Sequence, residues 1–302
     1  MSYYKVLGLQ KEPFSTSPDP SLFYLSKEHR AALYRLRISV KLKRGLSLIL
    51  GEVGTGKTTL SRRFIQLIGS EPNVAIQMIL NPLFRDEREF LKEICLRFGV
   101  PLGAETRDAT FYYHEIENFL FKKGVGEGKT IVLLIDEAQK LSDGCLEVLR
   151  GLLNYETNDY KILQVVLVSQ GEIVPRLLQI KNFWDRINLK HRLPFLGLEE
   201  MREMVRYRLT CAGYPAEGGL FSAEALEAVH RVTLGSPRQV TQVCHDCLEQ
   251  LVMHGKTRVD RELVESLAAR ENNFLFVPDL KERESYGFRA VPERTDARRA
   301  II

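Results

Sequence analysis

The chain has 302 residues, 44% of them hydrophobic and 27% charged, with a formal net charge of +4. That is the composition of a globular protein with room for a large α/β domain and a smaller one. The excess of Lys+Arg (43) over Asp+Glu (39) is too small to argue for nucleic acid on its own. Five scattered cysteines (Cys95, Cys145, Cys211, Cys244 and Cys247) do not form a disulfide framework and suit a reducing compartment. Met1–Lys5 does not open a signal peptide, and no apolar run approaches a membrane span. The expectation is a cytoplasmic protein that meets the membrane, if at all, through a partner.

Residues 1–28 are rich in turn formers (Pro13, Pro18, Pro20) and in aromatics (Tyr3, Tyr4, Phe14, Phe23, Tyr24). They read as an irregular arm packed on the domain close to the nucleotide. A helix follows from about Ser26, its N-cap, to Lys43. It carries Arg30, Arg35, Arg37, Lys41, Lys43 and Arg44, which make either a solvated basic face or a surface for nucleic acid or an acidic partner.

Leu46–Leu50 is an apolar run that reads as a buried strand. It leads into Gly51-Glu52-Val53-Gly54-Thr55-Gly56-Lys57-Thr58, which fits the phosphate-binding pattern G-x-x-x-x-G-K-[ST] at every fixed position. Thr59 continues into a helix with Leu60, Phe64, Ile65 and Ile68 on one face. Glycines let successive N–H groups converge on one anion, and the helix N-terminus aims its positive end there. Lys57 is placed for the β- and γ-phosphates of ATP, and Thr58 for Mg²⁺.

Asn73–Leu80 reads as a second strand. Helices follow over about Asp86–Phe98 and Asp108–Lys123, the latter ended by Gly124, Gly126 and Gly128. Thr130–Leu141 then joins a fully apolar strand, Ile131–Ile135, to Asp136 and Glu137. Carboxylates at the carboxyl end of a central parallel strand stand where such sheets bind ligands. Asp136 suits Mg²⁺, and Glu137 suits the general base that polarises an attacking water. A helix over about Ser142–Asn154 precedes the strand Ile162–Val168. Gln170, just past it, is placed beside Asp136 to hold the water or the γ-phosphate, or is simply a turn residue. A last strand, about Asn188–Leu193, follows Arg176 and Arg186.

Beyond Gly197 the pattern turns helical: Leu198–Ala212, Ser222–Thr233, Ser236–His254 and Arg261–Arg270. Gly235-Ser236-Pro237-Arg238 opens one helix with a serine cap and an N1 proline, fixing Arg238 in its first turn. Cys244 and Cys247 lie inside that helix without a second ligand pair and read as core residues. Four regions are expected: an arm and helix (1–44), an α/β nucleotide-binding domain (45–195), a helical domain (198–270) and an extended or disordered tail (271–302).

The phosphate loop, Leu133-Leu134-Ile135-Asp136-Glu137-Ala138-Gln139 and Gly235-Ser236-Pro237-Arg238-Gln239-Val240 match in order and spacing the motifs of AAA+ ATPases. With the opening Tyr3-Tyr4…Leu7-Gly8-Leu9…Pro13-Phe14…Tyr24-Leu25-Ser26…His29-Arg30, the chain resembles the ExeA/GspA family of general secretion pathway protein A up to about residue 270. The resemblance implies a P-loop parallel sheet with a helical lid, ATP and Mg²⁺ as ligands, and a homo-oligomer with sites between subunits. It puts Gln170 at the sensor 1 position and Arg238 at sensor 2. Arg186 takes the place of the arginine finger, with Arg176 as its rival. That family continues into a membrane span and a peptidoglycan-binding domain, which residues 1–302 lack. A link to an envelope machine through a membrane-protein partner is therefore expected.

Three functions compete. One is an ATPase whose nucleotide-driven oligomerisation serves a cell-envelope assembly, secretion or export machine, favoured by the N-terminal arm. Another is a DNA-binding AAA+ regulator of the TnsC type, with Arg30–Arg44 lining the DNA. The last is a scaffold that barely hydrolyses ATP, against which the Asp136–Glu137 pair argues.

Overall fold

The computed structural model describes residues 2–15, 20–102, 108–215 and 219–271. Five parallel strands form one sheet: β1 (Leu46–Gly51), β2 (Val74–Ile79), β3 (Thr130–Ile135), β4 (Leu163–Ser169) and β5 (Ile187–Leu193), in the order β2-β3-β4-β1-β5. The register pairs Ile135 with Leu167 and Leu50 with Ser169, so the carboxyl ends of β3, β4 and β1 lie side by side. The phosphate loop, Ser169 and Asp136 all leave the sheet at that edge.

The period of 2 along the strands decides the layering. Ile131, Leu133 and Ile135 face a core shared with α4 (Glu87–Arg97), α5 (Ala109–Leu120), α6 (Asp143–Leu152) and α7 (Ile173–Gln179). Val132 and Leu134 face the opposite core, packed by α2 (Lys27–Lys41) and α3 (Lys57–Gly69). With helices on both faces, the central strands β3 and β4 are buried and largely apolar on both sides, whereas the edge strand β5 alternates buried and exposed residues. Ser26, Asp86, Asp108 and Ser142 accept a backbone N–H from the first turns of α2, α4, α5 and α6, each cap contributing about 1 kcal/mol.

The C-terminal region is helical: α8 (Leu198–Cys211), α9 (Ala223–Thr233), α10 (Pro237–Met253) and α11 (Arg261–Glu271). These helices enclose a core of their own, which includes the fully buried Cys244 and Cys247 together with Tyr3 and Phe14 of the arm. The arm runs along α8: the Gln10 N–H donates to Ala212 O (2.8 Å), the Tyr207 hydroxyl to Ser21 O (3.0 Å) and the Lys27 N–H to Glu200 (2.9 Å). It contains a helical turn, α1 (Tyr3–Val6), that the turn formers concealed.

Two further differences have local causes. α5 stops at Leu120 and passes into a π-helical turn, Phe121–Gly126. Gly124 lies there so close to Ile131 and Ile162 that a Cβ would stand 2.4 Å from Ile162. α7 is too short to show a helical period in the sequence. The expected tail lies outside the described residues from 272 onward.

Candidate nucleotide site

The loop between β1 and α3 is held from three sides. Its own Thr55 hydroxyl donates to Glu52 O at 2.8 Å. From the first turn of α2, the His29 Nε2 lies 2.9 Å from Thr55 O, with Nδ1 2.7 Å from the Ser26 hydroxyl. A carbonyl can only accept, so Nε2 carries the proton and Nδ1 accepts from Ser26. From the C-terminal helices, the Arg238 N–H donates to Gly54 O at 3.3 Å.

Two of the three loop glycines are required by their backbone conformation. Gly54 and Gly56 have φ of +85° and +89°. A Cβ on Gly54 would stand 2.8 Å from the Ser236 hydroxyl, and one on Gly56 3.1 Å from His29 Nε2. Ser236 occupies the N-cap position of α10 but makes no side-chain cap hydrogen bond. Its hydroxyl is pressed against the phosphate loop instead, a correction to the expected serine cap.

Lys57 is 5% exposed, and its ammonium donates to Gly51 O (2.9 Å) and Glu52 O (3.0 Å). Burial lowers its pKa, while Glu137, Asp136 and Glu52 pull it back up. Asp136 is 1% exposed, and burial pushes its carboxyl up. The Thr58 hydroxyl and the Glu137 N–H, which donates to Oδ1 at 3.0 Å, oppose that push. Its other oxygen, Oδ2, is buried with no hydrogen-bond partner. An orphaned carboxylate oxygen beside a threonine hydroxyl and a lysine fits a hydrated divalent cation.

Glu137 adopts the left-handed conformation (φ +55°). The turn lets residue 139 face it, and Gln139 Nε2 donates to Glu137 Oε2 at 2.8 Å. Gln139 Oε1 accepts from the Ser169 hydroxyl (3.0 Å) and from the Gln170 N–H (3.2 Å). The end of β4 thus reaches the acidic pair through Ser169 and the Gln170 backbone, by way of Gln139. Gln139 carried no signal beyond its place in the Asp-Glu-Ala-Gln run, and His29 none beyond its place in the helix from Ser26.

The two candidate finger arginines differ. Arg176 is bound within its own chain, to Asp143 (2.7 Å), Gln139 O (2.8 Å) and Leu141 O (2.5 Å). Arg186 donates to Asn154 Oδ1 (2.6 Å) and Arg150 O (3.2 Å). It lies at the amino end of β5, where Ile187 pairs with Leu46, so the length of β1, about 17 Å of strand, separates it from its own phosphate loop. In the basic helix, Arg35 donates to His191 Nδ1 (3.1 Å) and Arg37 pairs with Glu71 (3.1 Å). The Lys43 ammonium lies 3.8 Å from the Tyr160 ring centroid.

Fold and loop together define a class: the chain has the fold of the AAA+ P-loop proteins. A family model described as an AAA domain matches residues 40–177. Within that class the chain is related to general secretion pathway protein A. The protein of that name from Aeromonas hydrophila is 36% identical over 271 residues, covering 89% of this chain and 48% of that protein. The chain thus spans about half the length of this relative. The fold is shared with ORC2 of Aeropyrum pernix in its ADPNP–ADP complexes (TM-score 0.62, 16% identity, 86% of this chain and 71% of that one). It is shared also with Cdc6p of Pyrobaculum aerophilum (TM-score 0.65, 17% identity, 86% and 70%). Among the described residues no helix is long and apolar enough to cross a membrane.

Proposed function

We propose that the chain binds and hydrolyses ATP, and that nucleotide-driven oligomerisation puts this cycle at the service of a cell-envelope assembly, secretion or export machine. The observation that carries the proposal is the placement of Asp136 and Glu137 at the carboxyl end of β3, beside Lys57 and Thr58. Loop N–H groups from Gly51 to Thr59 and the Lys57 ammonium hold the phosphates. Thr58 and Asp136 would hold Mg²⁺, which supplies positive charge against the phosphate oxygens when bound. Glu137 orients an attacking water and accepts its proton. Gln170, at the end of β4, senses the γ-phosphate. Residues 45–195 serve as the nucleotide-binding domain and 198–270 as a lid, which reports the γ-phosphate through Arg238.

Arg186 acts across subunits, since its own phosphate loop lies at the far end of the sheet. Arg176 is the weaker finger, because its ion pair with Asp143 and its bonds to Gln139 O and Leu141 O tie it to the turn beside its own acidic pair. The relationship to general secretion pathway protein A supports the envelope role, reached from the cytoplasmic side through a membrane-protein partner. The DNA-regulator alternative is less well supported. Arg35, Arg37 and Lys43 already have partners within the chain and are less available for phosphate contacts.

The test is steady-state turnover of ATP with Mg²⁺ by the wild type and by Glu137→Gln. Turnover that falls at least a hundredfold while ATP still binds supports the proposal. Equal rates would remove Glu137 from the chemistry.

A further inference from the structure

Gln139 stands where the sheet meets the acidic pair, and its backbone carbonyl and both polar atoms of its side chain are committed. Its backbone carbonyl accepts from Arg176 Nη1 at 2.8 Å. Arg176 is itself fixed by Asp143 at 2.7 Å and donates to Leu141 O, so the backbone of this turn is clamped from α7. Its side-chain oxygen accepts from the Ser169 hydroxyl and the Gln170 N–H. Its side-chain nitrogen donates to Glu137 Oε2 at 2.8 Å.

The orientation of the amide follows from chemistry at both ends. A backbone N–H such as that of Gln170 can only donate, so the amide atom facing it is the oxygen. A carboxylate such as that of Glu137 only accepts, so the atom facing it is the nitrogen. The two requirements agree, and the reverse orientation would break contacts at both ends. Glu137 sits in the left-handed region, a backbone conformation that a non-glycine residue adopts with strain. That turn is what brings side chains 137 and 139 together.

We propose that Gln139 is a positioning residue: held by Ser169, the Gln170 N–H and Arg176, it fixes the direction in which the Glu137 carboxylate faces. It touches neither nucleotide nor water in this role and acts only through Glu137. The inference rests on the reading of Glu137 as the base. The end of β4, beside the phosphate loop through the pairing of Leu50 with Ser169, is thereby wired to the base. A shift at Ser169 or Gln170 turns the amide, and the amide turns the carboxylate.

The test compares kcat, KM and ATP affinity for Gln139→Ala, Gln139→Glu, Ser169→Ala and the double variant Gln139→Ala/Ser169→Ala, with Glu137→Gln as control. A hydrogen bond to a charged group is worth enough that Gln139→Ala should lower kcat about tenfold to a hundredfold. KM and ATP affinity should stay within about twofold, because the loss lies in the chemical step. Gln139→Glu keeps the size of the side chain and the acceptor for Ser169 but sets a second carboxylate against Glu137, so its kcat should be lower still. Ser169→Ala should cost less than Gln139→Ala, and the double variant should be no slower than Gln139→Ala alone, since both act through one amide.

A wild-type kcat in Gln139→Ala, with Glu137→Gln inactive, would overturn this proposal and leave the base assignment standing. Full activity of Glu137→Gln would instead overturn the assignment on which it rests. A kcat loss in Gln139→Ala that comes with an equal rise in KM, or that adds to the loss from Ser169→Ala, would show a general structural role and overturn the proposal as well.

Discussion

His29 Nε2 lies 2.9 Å from the carbonyl oxygen of Thr55, so a buried imidazole in the first turn of α2 grips the phosphate loop. A second imidazole, His191 on β5, is held between Glu28 (3.2 Å) and Arg35 (3.1 Å) of α2. Burial is the largest influence on both and drives their pKa below the ordinary histidine value of about 6.5.

These two groups predict an acid weakness. The unfolded chain takes up protons at higher pH than the folded one. The stability they contribute is therefore complete above about pH 6.5 and is lost as the pH falls through the folded values. Each contributes at most about 1.4 kcal/mol per pH unit in that window. Denaturant midpoints measured from pH 7.5 to 5 should decline below 6.5, and His29→Gln should reduce the slope. An unchanged slope would show that His29 does not titrate in this way.

Lys57→Ala should abolish ATP binding, read by titration with a fluorescent ATP analogue. The ammonium is folded into the loop, donating to the carbonyls of Gly51 and Glu52. Normal affinity would refute the phosphate-loop assignment.

Gly54→Ala should disturb the contact between the loop and α10. The new Cβ would meet Ser236 and Arg238 at 2.8 and 3.0 Å, at a φ that L-residues adopt with strain. A stability loss of about 1–3 kcal/mol is expected, with weaker ATP binding. Arg238→Ala, which keeps the backbone, should leave stability nearly unchanged while altering the response to ATP.

Arg186→Ala should bind ATP normally and turn it over about a hundredfold more slowly or worse. Mixing it with Glu137→Gln subunits should restore part of the activity, because an intact Arg186 then faces an intact Glu137 across the interface. No restoration at any mixing ratio would count against action between subunits.

Most of the candidate site was legible because its residues are local in sequence. The loop from Gly51 to Thr58 and the Asp136–Glu137 pair each occupy one turn, and the apolar strands before them, Leu46–Leu50 and Ile131–Ile135, carry their own signal. What stayed hidden depends on contacts between distant segments. His29 and Thr55 meet only because α2 packs on the sheet. Ser236 reads as a cap by its position but is spent on Gly54. Gln139 was visible only as part of a motif, since its meaning lies in β4, which ends at Ser169 some thirty residues on. Arg176 and Arg186 could not be separated by spacing, whereas the fold ties one to the turn beside the acidic pair and the other to Asn154 at the opposite end of the sheet.

ATP binding at this loop is expected to drive assembly, and hydrolysis to reverse it. The most direct measurement is the mass distribution of the purified protein with and without ATP–Mg²⁺, for the wild type, Lys57→Ala and Glu137→Gln, repeated with short duplex DNA. The account predicts larger species with ATP in the wild type, persistent ones in Glu137→Gln and none in Lys57→Ala, all indifferent to DNA. A distribution that ignores ATP, or that shifts only when DNA is added, would contradict it.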